Sequence, residues 1–320
     1  MVALNSVPPK AFDSLSVVYH QPLFSLLEQS RQVHRTYWGQ KEGVQLCRLL
    51  SIKTGGCSED CGYCAQSARY DTGVKAERLM DRQAVLEEAR QAKQAGAGRF
   101  CMGAAWKGVR EGEAKFESVL DIIRDVKQLG MEVCVTLGQL TDEAARQLKA
   151  AGVTAYNHNL DTSPDHYRNI VTTHSFEDRL RTIRSVQRAG MSVCCGGILG
   201  MGESEDDRLK MLEVLCRFDP SPESVPINCL MPQEGTPLAG QKPIDVFELV
   251  VRLIATTRIA LPRARVRLSA GRTALTREAQ ALCFFAGANS IFFGDKLLTA
   301  PNPEESDDRA LLRTLGLAPA

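Results

Sequence analysis

The chain has 320 residues, 44% of them apolar, with 39 Lys and Arg against 38 Asp and Glu and a formal net charge of +1. That balance argues against a phosphate-backbone partner, and no apolar run of about eighteen residues exists to span a membrane as a helix. Eleven cysteines follow an N-terminus, MVALNSVPPKAF, without the charged and apolar regions of a secretory signal; they point to metal or redox chemistry in a reducing cytoplasm rather than to disulfides.

In chain order, residues 1–45 read as a helical cap: an irregular start at Pro8-Pro9, then Phe24, Leu26 and Leu27 with a polar run over 28–35 at helical spacing. Residues 44–52, VQLCRLLSI, form an apolar run of strand length. The run feeds straight into CSEDCGYC, which makes that stretch a strand-end loop. A pattern then repeats, in which an amphipathic helix ends in Gly and a short β-rich run follows: QAGAGRFCMGA, QLGMEVCVTLG, AAGVTAYNHNL, RAGMSVCCGGI and FAGANSIFFG. Gly96, Gly130, Gly152, Gly190 and Gly287 suit left-handed positions just past helix ends. Two weaker units, SVPINCLM before a helix over 246–260 and ARVRLSAG before a helix over 272–285, bring the strands to eight. Eight such units predict an α/β fold, a closed (β/α)₈ TIM-type barrel over residues 46–320, with its site at the C-terminal strand ends. An open doubly wound sheet and a six-unit partial barrel are the alternatives. A last helix, capped near Ser306 or Asp307, ends the chain.

The loop places Cys57, Cys61 and Cys64 within eight residues, with Gly55-Gly56 before it and Gly62 inside it to allow a tight path. Structural zinc asks for four protein ligands. No fourth Cys or His follows closely, the next cysteine being Cys101. Three thiolates suit a 4Fe–4S cluster with one iron left open; a zinc loop completed from a distance stays as the alternative. Further on, Cys101, Cys134, Cys194 and Arg267 fall on four different predicted strands, where alternation can turn each inward. Small core cysteines are the plainer reading of the thiols, but an inward guanidinium needs partners. Cys47, Cys195, Cys216, Cys229 and Cys283 read as structural. YNHNLDTS gathers Asn157, His158, Asn159 and Asp161 at one strand end, and Asn228 adds another amide. Amides offer donor and acceptor together, as an amide or urea ligand requires, and Asp161 suits ribose hydroxyls. His158 reads as a hydrogen-bonded core residue. GGILGMGES lacks the residues of a phosphate loop.

C-x₃-C-x-aromatic-C, with Tyr63 before the last cysteine, resembles the signature of the radical S-adenosylmethionine (SAM) enzymes. Longer strings, SIKTGGCSEDCGYCAQSARY, RFCMGAAW, YNHNLDTSP, VPIN, VRLSAGR, AGANSIFFGDKLLT and PNPEE, are similar to the sulfur-inserting branch of that family, which converts dethiobiotin. The resemblance implies a 4Fe–4S cluster on Cys57, Cys61 and Cys64, and a 2Fe–2S cluster on Cys101, Cys134, Cys194 and Arg267. It places Tyr63, Gly103-Ala104-Ala105, Asn159, Asp161, Arg179 and Ile198 around SAM, with Gly196, Gly200 and Glu203 completing the pattern near the adenine. Asn157, Asn159 and Asn228 are expected at the ureido group, and Thr299 at the substrate carboxylate. There the chain reads Thr299-Ala300 where the family has two threonines. A flavodoxin-like electron donor and a homodimer are implied as well. The implied chemistry cleaves SAM at the first cluster and takes the inserted sulfur from the second. A radical mutase, a lipoyl synthase or an iron–sulfur electron carrier are the competing readings; a lipoyl synthase would need a second compact cysteine motif near its N-terminus, and none precedes Cys47.

Overall fold

Apolar strand runs separated by amphipathic helices close here into a barrel. The structure is a computed structural model that describes residue 8 and residues 10–39, 43–242, 244–245 and 249–320. In order, the barrel strands are β1 (Gly43–Lys53), β2 (Arg99–Ala104), β3 (Glu132–Thr136), β4 (Ala155–Asn157), β5 (Ser192–Cys194), β6 (Gly197–Leu199), β7 (Ser224–Cys229), β8 (Arg265–Leu268) and β9 (Ser290–Phe292). Every pairing is parallel, and β9 returns to pair with β1, which closes the ring. β5 and β6 are two pieces of one stave, so the predicted (β/α)₈ count holds. The break has a local cause. Pro226 on β7 has no N–H to give its neighbour, and the facing Gly196 lies so close that a Cβ there would stand 2.0 Å from the Pro226 carbonyl oxygen. A last short strand, β10 (Ala318–Pro319), adds to the start of β1 through Gly43↔Ala318.

Ten α-helices are described: α1 (Phe12–Tyr19), α2 (Leu23–Trp38), α3 (Arg82–Gln94), α4 (Ala114–Gln128), α5 (Asp142–Ala151), α6 (Phe176–Arg188), α7 (Glu205–Cys216), α8 (Val251–Ala260), α9 (Arg277–Phe285) and α10 (Glu305–Thr314). Their starts are written in polar residues. Ser175 with Asp178 and Ser204 with Asp207 form capping boxes on α6 and α7, and Asp81, Thr141 and Thr276 cap α3, α5 and α9. The five glycines expected past helix ends all have φ between +70° and +105° or, at Gly152, +109°. α1 and α2 pack on the outer helices α7 and α8. α8 is consequently buried all round, and Arg258 satisfies its guanidinium on the carbonyls of Pro262, Ala264 and Gly287.

Three expectations shift. Residues 272–274 form a single 3₁₀ turn, and the helix proper waits for the Thr276 cap. The final helix starts at Glu305, after Glu304 and with no side-chain cap; Glu305, Asp307 and Asp308 instead load its first turn with negative charge. Residues 246–248 of the expected 246–260 helix lie outside the described residues.

The main core fills the layer between helices and barrel wall. Inside the barrel a separate small cluster joins Cys47, Cys101, Cys134, Cys194 and Ala155, flanked by Leu49 and Phe292.

Candidate active site

β1 delivers the cysteine loop to the mouth of the barrel. Gly55 and Gly56 turn the chain at φ +67° and +68°, and a Cβ on Gly55 would stand 2.5 Å from the Lys75 carbonyl oxygen. The loop then bonds to itself: Cys57 N–H donates to Gln66 O at 2.9 Å, Ala68 N–H to Cys57 O at 2.7 Å, and Cys64 N–H to Cys61 O at 2.9 Å. It is also pinned to residues 170–173. Gly62 N–H donates to Ile170 O at 2.9 Å, and the Asp60 carboxylate accepts from the N–H groups of Thr172 and Thr173 at 2.9 and 3.1 Å. Burial opposes ionisation of Asp60, but the bonds from Thr172 and Thr173 outweigh it and hold the carboxyl well below its usual range. Cys57, Cys61 and Cys64 are half-buried. Burial keeps all three thiols protonated at neutral pH, with Cys64 pushed up to about 11.

Beside the loop, one charged network organises the β4 end. The Tyr63 hydroxyl donates to Asp161 Oδ2 at 2.7 Å, and Arg179 pairs with the same oxygen at 2.5 Å. Arg179 also donates to Asn159 O at 2.8 Å and to the Tyr167 hydroxyl. Burial raises the pKa of Tyr63, so it remains a donor. Asp161 itself sits at φ +68°, a left-handed turn that sends its carbonyl to the Ile198 N–H at 2.8 Å. Ile198 lines the cavity, whereas Glu203 does not: its carboxylate accepts from Gly200 and Met201 N–H at 2.9 and 2.7 Å and pairs with Arg208 at 2.9 Å. Glu203 therefore shapes the loop rather than touching a ligand.

Deeper in, Cys101 and Cys134 are direct register partners on β2 and β3, and Asn157 pairs with Cys194 between β4 and β5. All three thiols are buried. Arg267, 1% exposed, reaches across from β8. Its Nε donates to Ser290 Oγ at 3.0 Å, its Nη1 lies 3.6 Å from the Cys194 sulfur, and its plane sits 4.9 Å over the Phe292 ring. No buried carboxylate pairs with it among the described residues; it meets sulfur, hydroxyl and amide oxygen instead. The cysteine missed by pattern is Cys47, expected to be structural. It is fully buried, one inward step below Leu49, with the Arg267 Nη2 at 3.3 Å and Ser290 Oγ at 3.7 Å. Burial opposes its ionisation, but a hydrogen bond from Cys101 and the charges of Arg267 and Arg99 bring the thiol down to about 6.

A cavity of about 390 Å³ joins the two regions. Cys57, Cys61 and Cys64 line its mouth, and Cys101, Cys134 and Arg267 its floor. Gly103, Ala104, Ala105, Asn157, Asn159, Asp161, Arg179, Asn228 and Thr299 line the walls, so of the expected cluster and contact residues only Cys194, Gly196, Gly200 and Glu203 fall outside this one space. Asn157 donates to Asn159 Oδ1 at 3.1 Å and accepts from Thr136 at 3.1 Å; Asn228 donates to Gly197 O at 3.0 Å and accepts from Ala270 N–H at 3.2 Å. Each of these two amides has bonding capacity left for a ligand. His158 departs from expectation. It lines the cavity, its Nε2 has no partner among the described residues, and burial together with Arg179 keeps it neutral.

Among the described residues no three His, Cys, Asp or Glu side chains converge on a point that would hold a single metal ion. A cluster suits the spread better, because its sulfur ligands attach to separate irons.

The comparisons with known proteins agree with this geometry. Residues 51–215 match the radical SAM superfamily, and residues 226–318 match the biotin and thiamin synthesis associated domain. Biotin synthase of Sorangium cellulosum is 58% identical over 298 residues, 93% of this chain and 84% of that protein. Biotin synthase of Gloeobacter violaceus is 56% identical over 311 residues, 97% of each. The chain belongs to the biotin synthase family. Family membership implies a 4Fe–4S cluster, SAM and a 2Fe–2S cluster as cofactors. Among solved structures, methylornithine synthase superposes with a TM-score of 0.79 over 97% of this chain and 94% of that one; at 20% identity this speaks for the barrel alone. No helix among the described residues is long and apolar enough to cross a membrane.

Proposed function

We propose that this chain is a radical SAM sulfurtransferase that converts dethiobiotin to biotin, with the loop thiols and the inner thiols serving one substrate cavity. The observation that carries the reading is the cavity itself: a three-cysteine loop with no fourth thiol at one end and a buried thiol–guanidinium set at the other. Cys57, Cys61 and Cys64 would hold the 4Fe–4S cluster, and Cys101, Cys134, Cys194 and Arg267 the 2Fe–2S cluster. When bound, the first supplies the electron that cleaves SAM and the second supplies the sulfur.

The chain's own residues bind, orient and exclude water. Gly103, Ala104 and Ala105 keep the β2 end free of bulk, so a ligand reaches backbone polar groups there. Asp161, fixed by Arg179 and Tyr63, is the acceptor for ribose hydroxyls, and Ile198 gives the adenine an apolar face. Asn157, Asn159 and Asn228 bracket the ureido group between the two ends. Ala300 cannot offer a hydroxyl, so Thr299 and nearby backbone N–H groups take the substrate carboxylate.

The expected division into a helical cap and a single barrel domain is supported by α1 and α2 lying outside the barrel on α7 and α8, with the barrel beginning at β1, at Gly43 rather than at residue 46. The eleven unpaired cysteines support a reducing, cytoplasmic setting. The flavodoxin-like donor and the homodimer rest on the family resemblance. Anaerobic reconstitution followed by incubation with SAM, reductant and dethiobiotin tests the reading. Biotin and 5′-deoxyadenosine in the product mass spectrum are expected; 5′-deoxyadenosine without any biotin would overturn the substrate assignment.

A further inference from the structure

The inner wall of the barrel carries one donor more than a 2Fe–2S cluster has positions for. Cys47 on β1, Cys101 on β2, Cys134 on β3 and Cys194 on β5 pack into one buried cluster inside the barrel, with Cys101 and Cys134 in direct register. Arg267 closes the ring from β8, with Nη2 at 3.3 Å from the Cys47 sulfur and Nη1 at 3.6 Å from the Cys194 sulfur. A 2Fe–2S cluster takes four ligands. Three thiols and the guanidinium fill those positions and leave Cys47 in surplus.

Its surroundings are not those of a packing cysteine. Besides the guanidinium, the Cys47 sulfur meets Gln45 Oε1 at 3.4 Å and Ser290 Oγ at 3.7 Å. A small core residue gains nothing from three polar neighbours at the bottom of a barrel. A ligand does, since they orient the thiolate. The competition also has a chemical side. Thiolate is the usual cluster ligand, whereas a guanidinium stays protonated up to a pKa above about 12 and has to give up a proton to bind iron. Arg267 is held in place by Ser290 and the Phe292 ring, and its guanidinium lies directly against the Cys47 sulfur. Shortening it therefore opens space next to that sulfur.

Building on the assignment of the inner cluster above, we propose that Cys47 is an alternate fourth ligand: it and Arg267 share one iron position, and Cys47 occupies it when the guanidinium is removed.

The test uses the full chain carrying Cys57→Ala, Cys61→Ala and Cys64→Ala, so that all cluster iron belongs to the inner site. Into it go Arg267→Met, Cys47→Ala and both together, each reconstituted anaerobically. Iron and sulfide content, charge-transfer absorption, reduction potential and thermal unfolding are measured. About two irons per chain are expected in the background and in both single variants. Arg267→Met should show a lower potential, because a thiolate charge replaces a cation beside the cluster. The double variant should lose most of its iron. Equal iron content and equal potential in Arg267→Met and the double variant would overturn the proposal. The near-isosteric pair Arg267→Met with Cys47→Ser guards against a folding failure: oxygen in place of sulfur should move the absorption bands to higher energy, and bands unchanged from Arg267→Met overturn the proposal too. Absence of inner iron from the background itself would overturn the inner-cluster assignment and this inference with it, whereas iron in the background and no dependence on Cys47 overturns this inference alone.

Discussion

The two thiol sets use one side chain in opposite ways. Cys57, Cys61 and Cys64 sit on a loop that organises its own backbone, with glycines at the turn and hydrogen bonds from Cys57 to Ala68 closing it. The inner set has no local organisation at all. Cys47, Cys101, Cys134, Cys194 and Arg267 come from five strands and meet only because the barrel closes. The electrostatics differ in step. The loop thiols are all kept protonated by burial, whereas the inner set is split. Hydrogen bonds from neighbouring thiols and the cations Arg99 and Arg267 outweigh burial at Cys134 and at Cys47, which is brought to about 6. Cys101 and Cys194, which donate to those neighbours and are buried, are raised and stay protonated. A site at the mouth must be accessible to an electron donor and to SAM. A site on the floor must hold its contents away from water, and the fold supplies the charge that the absent solvent cannot.

The sharpest way to separate the two is to remove each. Cys61→Ala should abolish 5′-deoxyadenosine formation. Cys134→Ala should abolish biotin formation while some 5′-deoxyadenosine is still made, because the loop keeps its own supports. Far-UV dichroism should stay near normal in the first, where only a loop thiol is lost. Loss of both products in both variants would mean that the two sets form one interdependent unit.

Next in size is the link between the regions. Asp161 and Arg179 are both buried and paired at 2.5 Å, and Tyr63 ties Asp161 to the cysteine loop. Asp161→Asn keeps the shape and suits the left-handed φ of +68°, so it isolates the charge. Leaving Arg179 buried without its partner should cost about 3–5 kcal/mol in a denaturant melt. SAM binding should weaken as well. A melt within about 1 kcal/mol of the parent chain, on the surface-pair scale, would show that water compensates Arg179 and that the pair is not sealed.

How much of this could be read from the sequence follows the same division. The loop was legible because its ligands are contiguous and its glycines adjacent. The barrel was legible because Gly96, Gly130, Gly152, Gly190 and Gly287 punctuate helices before each strand. Cys101, Cys134 and Cys194 could be placed on strands, but nothing in VQLCRLLSI separates Cys47 from a packing residue. Only the register, Cys47 opposite Phe292 and two residues short of the Leu49–Cys101 pair, brings it into the ring. His158 was misjudged for a related reason: an imidazole without a partner looks the same in sequence as one with a partner. The role of Glu203 could not be read either, since a carboxylate that binds backbone N–H groups and one that binds a ligand share the same motif.

A smaller effect should fall on the loop alone. Gly55→Ala forces a side chain into the left-handed region and against the Lys75 carbonyl. The conformation alone costs about 1–2 kcal/mol. Outer iron should bind more weakly after reconstitution, while iron at the inner site should be unchanged. Equal loss at both sites would show that the loop's strain is transmitted through β1.

The mildest test asks whether access or ionisation governs the thiols in the cluster-free chain. The thiolate is the nucleophile toward iodoacetamide. By ionisation alone Cys47, brought to about 6, and Cys134, held well below the usual thiol range, should react first at neutral pH, and Cys64, pushed up to about 11, should lag far behind. By access alone the order reverses, because Cys47 is fully buried and the loop cysteines are half-buried. A closed barrel should make access decisive. Mapping alkylated peptides across pH 7 to 9 should then find Cys57, Cys61 and Cys64 modified first. Their rate should rise roughly tenfold per pH unit, as expected of thiols still below their pKa. The inner cysteines should stay unmodified until the chain unfolds. Early modification of Cys47, with a rate flat above pH 7, would mean that the floor of the barrel opens to solvent on the timescale of the reaction.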